Sequence, residues 1–264
     1  VFNGAYWGQC DVIYTSLCLT ALYMALQKKS ARSMILFGMA LSFKLQMVFF
    51  LPALLPLWLR KDIKLRHLAL IPAAYMAMMI PAFWGGKSLH HALTVYTAQA
   101  STYNFMTVNG PSLYNFLPAS MDRGMLYTMF SGMAMALGMA MLAIVCLMVC
   151  LHREHITREG TLLTCLLVLG GVPFFLPKMH ERYTFGADVL ALAIAAYNPK
   201  RVWLPLLFGL SSYICYTAGL PGDAIFDLKW ATVFQGAAVA LTAAALYRSL
   251  NEEKAEAALA EVKA

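Results

Sequence analysis

The chain has 264 residues, of which 61% are hydrophobic and only 12% are charged, and its mean hydropathy is +0.64. A soluble domain needs a charged surface around its core, and this composition cannot provide one. The formal net charge of +7 does not indicate nucleic-acid binding, because Lys and Arg form short clusters between apolar runs, where they orient spans in a membrane. We therefore expect an integral membrane protein without a nucleic-acid partner.

Seven apolar runs are candidate membrane spans, because about 20 apolar helical residues cross the hydrocarbon layer. Several are short, and short helices predict a locally thin protein with a cavity that opens into one leaflet. The predicted fold is all-α, a polytopic transmembrane helical bundle with short and re-entrant helices around an outward-facing cavity. We expect one transmembrane domain over residues 1–250 and a cytoplasmic tail over 251–264. The candidate spans are 12–27, 67–83, 125–151, 161–177, 184–197, 202–219 and 228–248.

The apolar run 33–59 differs from the others, because Lys44 and Gln46 lie near its middle and basic clusters flank both ends. A simple span would put one of these clusters outside, whereas Lys and Arg collect on the cytoplasmic side of membrane proteins. The alternative is a re-entrant hairpin of two half-length helices, whose apex "SFKLQ" reaches about 16 Å into the membrane. The sequence therefore predicts that this run makes no net crossing.

This hairpin divides the polar segments between the two sides of the membrane. "KKSAR", "RKDIKLR", "HREHITRE" and "NPKR" fall on the cytoplasmic side. The opposite side receives "WGQCD", the segment 84–123, "PKMHERY" and "GLPGD". The residue types that do chemistry are thereby predicted to collect on the non-cytoplasmic face.

Lys44 is the sharpest single feature of the sequence. An ammonium group at membrane depth costs several kcal/mol unless it faces water, protein or an anion. The structural alternative is that its long stem carries the charge to an interface. A position near mid-membrane makes this awkward, so the sequence favours an inward-facing Lys44 that pairs with a phosphate.

The stretch "WGQCD" directly precedes the first apolar span. Trp7 alone is typical of the aromatic belt at a membrane interface. Gln9 and Asp11 would lie at the N-terminus of the helix that follows, where Asp11 is either a helix cap favoured by the dipole or part of a site. The spacing does not distinguish these two roles.

The segment 84–123 carries little charge but many side chains that form hydrogen bonds, and "NGP" at 109–111 predicts a turn. A long connection between spans is more often functional than idle. Aromatic rings and amides suit a sugar, although an ordinary interfacial loop has the same composition. The polar residues are Tyr96, Gln99, Tyr103, Asn104, Asn109, Ser112, Tyr114 and Asn115.

The stretch "PKMHERY" holds two cations, an imidazole and a carboxylate within five residues, more than a membrane boundary needs. His180 suits an acid, a base or a phosphate donor, and Arg182 offers a planar fork for phosphate oxygens. A simpler role for Glu181 is to orient Arg182 or Lys178. Asp188 lies inside a short apolar run and is expected to face the interior and meet a cation there.

Four separated pieces, "WGQCDVIYT", "GMALSFKLQMVFFLP", "NGPSLYNFL" and "PKMHERYTFGADVLALA", together resemble the bacterial members of the GT-C superfamily related to GPI-anchor mannosyltransferases. The resemblance covers most of residues 4–197 in the family's order, whereas 198–264 matches only as generic membrane helices. The resemblance is specific because four separated motifs agree. It implies a GT-C-like bundle and a plasma-membrane location.

The resemblance also implies an inverting enzyme, metal-independent or assisted by a divalent metal ion. It would transfer a hexose, expected to be mannose, from a polyprenyl-phosphate carrier to a glycan or lipid acceptor on the non-cytoplasmic side. Lys44, His180 and Arg182 would hold the lipid phosphate. The sugar or acceptor site would be lined by Trp7, Gln9, Asp11 and Asn109.

The family usually carries an acidic general base in its first outer loop, before the point where this chain starts. The chain opens without an initiator Met, so we expect the C-terminal portion of a longer module. Asp11 is then a candidate second acid, and this portion alone is expected to be inactive. The predicted substrate-binding residues are Trp7, Gln9, Lys44, Gln46, Asn109, Tyr114, Asn115, Lys178, His180, Glu181, Arg182, Tyr183 and Asp188.

Two other functions fit parts of the sequence. A transporter or lipid-linked-sugar flippase also uses broken helices with a charged apex, but such proteins often show internal repeats, and the sequence shows none. An O-antigen ligase or polymerase uses similar lipid diphosphates. It would be distinguished by a donor that carries two phosphates instead of one.

Overall fold

The structure is a computed structural model that describes residues 2–100, 102–118, 120–220 and 225–263. It is 79% helical, which confirms the predicted all-α class. Most of the predicted outer stretch "GLPGD" lies outside the described residues. The α-helices are α1 (Asp11–Leu26), α2 (Ser30–Phe43), α3 (Leu54–Leu59), α4 (Leu70–Met78), α5 (Ile80–Trp84), α6 (Leu89–Ala100), α7 (Arg123–Leu151), α8 (Arg158–Phe175), α9 (Phe185–Tyr197), α10 (Trp203–Gly219) and α11 (Leu228–Lys263).

Shorter elements join these helices. A π-helical turn, Phe2–Tyr6, precedes α1. The only strands among the described residues are β1 (Thr107–Val108) and β2 (Met179–His180). The 3-10 helices are Leu45–Ala53, Leu65–Ala69, Leu113–Phe116, Arg153–His155 and Pro199–Arg201.

Five helical segments are long and apolar enough to cross a membrane, which indicates a multi-pass membrane protein as predicted. They are Leu65–Trp84, Arg123–Leu151, Arg158–Phe175, Pro199–Gly219 and Leu228–Asn251. The predicted spans 12–27 and 184–197 correspond to α1 and α9, which have 16 and 13 residues. At 1.5 Å per residue these two helices are only about 24 and 20 Å long.

The run 33–59 breaks at Lys44, as the hairpin requires. Lys44 has extended backbone angles (φ −160°, ψ 136°) between α2 and the 3-10 helix Leu45–Ala53. The chain then returns to the start of α2, where the Ser30 hydroxyl accepts a hydrogen bond from the Lys64 N–H at 2.9 Å and lies 2.9 Å from Nδ1 of His67. The first arm has 14 residues, so the apex lies about 21 Å from the base, farther than the 16 Å expected.

The predicted cytoplasmic segments meet at one end of the bundle, which we call the basic end. The Arg60 guanidinium donates to the carbonyl of Ile156 in the connection between α7 and α8. Nε of Arg201 lies 2.8 Å from the carboxylate of Glu159 at the start of α8. Because α1, α2, α8, α9 and α10 all have one terminus here, their other termini define the opposite end, which we call the site end.

Helix α8 is the central helix of the bundle. Its apolar stretch is 78% buried, and it packs against α7, α9, α11 and the 3-10 helix Leu45–Ala53. Close packing depends on small residues, since a Cβ at Gly170 would lie 2.6 Å from the Phe208 ring. The segment that follows α8 is therefore held firmly at the site end.

Candidate functional site

The two polar loops of the site end are joined by a short parallel β-pair. Thr107 of β1 pairs with Met179 of β2, and Val108 pairs with His180. The Glu181 N–H extends the pairing by donating to the Val108 carbonyl at 3.2 Å. This pairing brings "NGPSLYN" beside "PKMHERY", as their assignment to one side of the membrane predicts.

Backbone conformation fixes how closely these loops approach. A Cβ at Gly110 would lie 2.7 Å from the Met179 carbonyl oxygen, so only glycine fits there. Asn109 and Lys178 adopt left-handed backbone angles, with φ of 55° and 65°. Asn109 also forms a β-bridge with His180. The turn predicted at 109–111 therefore lies directly against the backbone of Met179 and His180.

A buried ion pair joins the start of α1 to the end of α2. Nζ of Lys44 donates to Oδ1 of Asp11, and Nδ2 of Asn3 donates to Oδ2 of Asp11 at 2.8 Å. Asp11 is 0% exposed, and the N-cap of α1 is Cys10, which makes no side-chain cap. Asp11 is therefore not the helix cap, and both its carboxylate oxygens have partners within the protein.

Arg182 lies against the N-terminal segment. Its guanidinium carbon is 5.4 Å from the centre of the Trp7 ring, a cation–π arrangement. Nη1 of Arg182 is 3.4 Å from Oε1 of Glu181, and Nε is buried without a hydrogen-bond partner among the described residues. Trp7, Glu181 and Arg182 therefore form one cluster.

Aromatic rings connect Lys44 to His180. Nζ of Lys44 lies 5.9 Å from the ring centres of both Tyr14 and Tyr183. The imidazole of His180 lies 5.0 Å from the rings of Tyr103 and Tyr183. Tyr183 thus stands between the ammonium group and the imidazole.

A cavity of about 540 Å³ opens beside this cluster, and we call it the main cavity. Its lining includes the apolar residues Leu45, Phe49 and Met135. It also includes hydrogen-bonding and cationic groups, and Nζ of Lys178 lies 5.0 Å from the centre of the Tyr127 ring. The polar lining comprises Gln46, Gln99, Tyr103, Tyr127, Ser131, Lys178, His180 and Tyr183.

Lys44 and Arg182 lie at the site end, but neither lines the main cavity. Lys44 directly precedes Leu45 and Gln46, and both of these residues line the cavity. Lys44 also lies against the ring of Tyr183. Arg182 lies between His180 and Tyr183 in sequence, and both of these face the cavity. Lys44 and Arg182 are therefore sequence neighbours of residues that line the cavity, but they do not line it themselves.

Burial shifts the pKa values of His180 and Glu181, two titratable groups beside the cavity. Burial, reinforced by the cations Arg182 and Lys44, lowers the pKa of His180 from 6.5 to about 4. Burial raises the pKa of Glu181 above its usual value. His180 is therefore neutral at pH 7, where one ring nitrogen can donate and the other can accept.

Some predicted site residues support the loop structure and do not line the main cavity. The Tyr114 hydroxyl donates to the Phe175 carbonyl at 2.6 Å. Nδ2 of Asn115 donates to the Gly110 carbonyl at 2.8 Å and to the Thr232 hydroxyl at 3.0 Å. These bonds hold the loop 109–116 against α8 and α11. Gln9 contributes a backbone N–H that donates to the Asn3 carbonyl at 3.1 Å.

The prediction that Asp188 meets a cation is wrong. Its Oδ1 accepts a hydrogen bond from the Ser212 hydroxyl at 2.9 Å. Within the described ranges, no Lys, Arg or His forms an ion pair with Asp188. Lys44 pairs instead with Asp11, and Arg182 pairs with Glu181.

Several residues at the site end were not found from the sequence. Tyr127 lies in an apolar run that reads as a plain span, although it faces Lys178. Asn3 and Tyr216 meet across the bundle, with Nδ2 of Asn3 3.5 Å from the Tyr216 hydroxyl. No local pattern indicates these contacts, because each joins segments that are distant in sequence.

Comparison with known proteins finds no matching protein-family model, no matching curated protein and no matching solved structure. In the part of the chain that the structure describes, no group of three or more His, Cys, Asp or Glu is arranged to hold a metal ion.

Proposed function

We propose that this chain is a membrane glycosyltransferase of the GT-C type. It transfers a hexose, mannose by the resemblance, from a polyprenyl-phosphate donor to a glycan or lipid acceptor on the non-cytoplasmic side of the plasma membrane, with inversion at the anomeric carbon. The observation that carries this proposal is the main cavity, whose lining combines apolar residues with cationic and aromatic residues at the ends of membrane helices.

The charge distribution supports the orientation. Most Lys and Arg residues lie at the basic end, and positive charge collects on the cytoplasmic side of membrane proteins. The site end then faces the other side. The basic-end cations are Lys28, Lys29, Arg32, Arg60, Lys61, Lys64, Arg66, Arg153, Arg158, Lys200, Arg201 and Arg248.

The lining of the main cavity fits the three parts of such a donor. The apolar residues Leu45, Phe49 and Met135 suit the prenyl chain. Lys178 and neutral His180 supply donors to the phosphate. Gln99, Tyr103 and Tyr127 suit a hexose, whose apolar face stacks on rings and whose hydroxyls bind amides. A volume of about 540 Å³ falls within the range of small-molecule sites.

In this proposal the cations stabilise the leaving group. The acceptor oxygen forms a bond to the anomeric carbon, while the bond from this carbon to the phosphate oxygen breaks and its electron pair leaves with the phosphate. By the resemblance, the hydroxyl proton passes to the acidic general base that the family carries in its first outer loop. Lys178 and His180 line the cavity, where their N–H groups can donate to the phosphate oxygens and favour the anionic product.

The contacts of Asp11 favour a positioning role over a catalytic one. One carboxylate oxygen of Asp11 holds the Lys44 ammonium group and the other holds the Asn3 amide, so both oxygens are already engaged in structural contacts. Asp11 instead fixes the position of Lys44 behind Tyr183. The corresponding assignment for Glu181 is to hold Arg182.

The test measures binding before transfer. Farnesyl phosphate is titrated into the purified protein, and membranes are then assayed with radiolabelled polyprenyl-phosphate hexose. Lys178→Gln removes a charge at the cavity, and Gly132→Leu fills the cavity, because a Cβ at Gly132 has no atom within 4 Å. We expect each variant to weaken farnesyl phosphate binding about tenfold.

The matched control is Gly209→Leu. This glycine also has no atom within 4 Å of a Cβ, but it lines a different cavity, so farnesyl phosphate should bind as tightly as it does to the parent. Equal binding to the parent, Lys178→Gln and Gly132→Leu would exclude the main cavity as the donor site. The broken helix at Lys44 is also typical of transporters. Movement of the lipid-linked sugar across vesicle membranes without transfer would favour a flippase.

A further inference from the structure

A second cavity of about 390 Å³ lies between α9 and α10, and we call it the α9–α10 groove. Its polar lining consists of Asn3, Asp188, Ser212, Tyr213 and Tyr216. The groove opens on the outer surface of the bundle, where Leu192 is 59% exposed. The main cavity shares none of these residues, so the groove is a separate candidate site.

Asp188 gives this groove its chemical character. It is an acid within a short apolar helix, and such residues in membrane segments are costly and usually functional. Within the described part of the chain its carboxylate accepts one hydrogen bond, from Ser212, and no cation pairs with it. The groove therefore presents a carboxylate whose second oxygen is open to a ligand.

A second observation points independently to a missing donor. Asn3 lines the groove and is 2% exposed, yet its Oδ1 has no hydrogen-bond partner among the described residues. A buried polar atom without a partner costs free energy, so native proteins usually provide one. Its Nδ2 is already used by Asp11, which leaves Oδ1 as the side-chain acceptor that lacks a donor.

We infer that the α9–α10 groove binds a primary ammonium group. Three N–H donors of an ammonium match the acceptors that the groove offers, namely the Asp188 carboxylate, Oδ1 of Asn3 and the Ser212 hydroxyl oxygen. The rings of Phe185 and Tyr216 in the lining favour a cation as well. An anion is disfavoured because the only charged side chain in the lining is acidic.

The volume and the opening of the groove restrict the chemical class of the ligand further. About 390 Å³ is far more than a bare metal cation needs, so the ammonium belongs to an organic molecule. The groove opens where apolar side chains are exposed, which favours an aminophospholipid headgroup over a free amine. This inference does not depend on the glycosyltransferase proposal, because it uses different residues and a different cavity.

The groove is connected to the proposed donor site by one chain of contacts. Asn3 lies in the groove and donates to Asp11, and Asp11 accepts from Lys44 behind the main cavity. Asn3 is thus the residue that the groove shares with the polar contacts behind the main cavity.

The test uses the protein in nanodiscs that contain equal amounts of phosphatidylethanolamine and phosphatidylcholine. Lipids retained after release are counted by native mass spectrometry. Phosphatidylcholine is the matched lipid, because its quaternary ammonium has no N–H to donate. We expect the parent to retain phosphatidylethanolamine about tenfold more than phosphatidylcholine, as charged hydrogen bonds of this kind allow.

Two variants test the site in different ways. Asp188→Asn removes the charge but still accepts from Ser212, and Gly209→Leu fills the groove without touching Asp188. Both variants should abolish the preference for phosphatidylethanolamine. If one of them does not fold, the other still tests the site. Asp227→Asn, an exposed acid at the same end, and Gly132→Leu, in the main cavity, should keep it.

The outcomes separate the sources of the ammonium group. Ethanolamine that displaces the retained lipid at equal concentration assigns a free amine as the ligand. Displacement only by short-chain phosphatidylethanolamine assigns the lipid. Equal retention of the two lipids by the parent, or an unchanged preference in Asp188→Asn and Gly209→Leu, would overturn the inference. If Gly132→Leu loses farnesyl phosphate binding but keeps the preference for phosphatidylethanolamine, the inference about the α9–α10 groove is supported.

Discussion

Lys44 and Asp11 form an ion pair across the ends of two antiparallel helices, although 33 positions separate them in sequence. The Asp11 carboxylate is fully buried, and the Lys44 side chain is 13% exposed. The pair therefore places its charges at the same level, with the Tyr14 and Tyr183 rings beside the ammonium group. It closes the α1–α2 hairpin at the site end and holds the broken helix in position.

Removal of one partner of this pair should be strongly destabilising. Lys44→Ala leaves the Asp11 charge buried with only the Asn3 amide as partner, and breaking a buried pair costs about 3–5 kcal/mol. Lys44→Met combined with Asp11→Asn removes both charges and should recover most of the loss. The measurement is the free energy of unfolding in detergent. A double variant as unstable as Lys44→Ala would contradict the buried pair.

Close contact between α2 and α4 depends on Gly38. A Cβ there would collide with the backbone carbonyl of Ile71 and lie 2.7 Å from Cβ of Ala74. Because backbone atoms cannot move aside, Gly38→Ala should lower the free energy of unfolding by about 1–3 kcal/mol. Gly132→Ala is the matched control and should stay within about 0.5 kcal/mol of the parent. Equal stability of the two variants would refute this packing.

The two ends of the bundle could be predicted from the sequence because charge patterning is a local property. "KKSAR", "RKDIKLR", "HREHITRE" and "NPKR" each stand between apolar runs, and the structure brings all four together. The break at Lys44 was also visible, since an ammonium group in an apolar run opposes a simple span. Its depth was underestimated, because the first arm extends from Ser30 and not from residue 33.

Partners across the bundle could not be predicted in the same way. The sequence predicts a cation beside Asp188, but Lys44 pairs with Asp11 and Arg182 with Glu181, and a hydroxyl of α10 contacts Asp188 instead. Tyr114 was assigned to substrate because it lies in a polar loop, yet its hydroxyl caps the end of α8. Such contacts depend on how helices pack, and a single sequence carries no pattern for that.

The stability of the site end should depend on the protonation of His180. Burial and nearby cations lower its pKa to about 4 in the folded protein, against 6.5 as the ordinary value. Between pH 4 and pH 6.5 the unfolded chain therefore binds more protons at His180 than the folded protein does. Neutral His180 thus stabilises the fold at higher pH, and this stabilisation is lost as the pH falls from 6.5 towards 4. His180→Asn should remove this loss.

The measurement is the difference in unfolding free energy between the parent and His180→Asn at several pH values. The pKa of Glu181 is raised, so Glu181 acts with the opposite sign, and the comparison of two proteins that share Glu181 cancels most of its effect. We expect the parent to lose stability relative to the variant below pH 6.5. A difference that does not change with pH would contradict the buried, neutral His180.

Surface labelling can determine the orientation of the two ends. Lys64 and Asn104 are both exposed, and Lys64 lies at the basic end, whereas Asn104 lies between Tyr103 and Phe105, which contact the loop 178–180. In a background without the six native cysteines, Asn104→Cys should react with a membrane-impermeant maleimide on intact cells. Lys64→Cys should react only after the membrane is opened, because positive charge favours the cytoplasmic side. Reaction of Lys64→Cys on intact cells would reverse the orientation and remove the non-cytoplasmic donor site from the proposal.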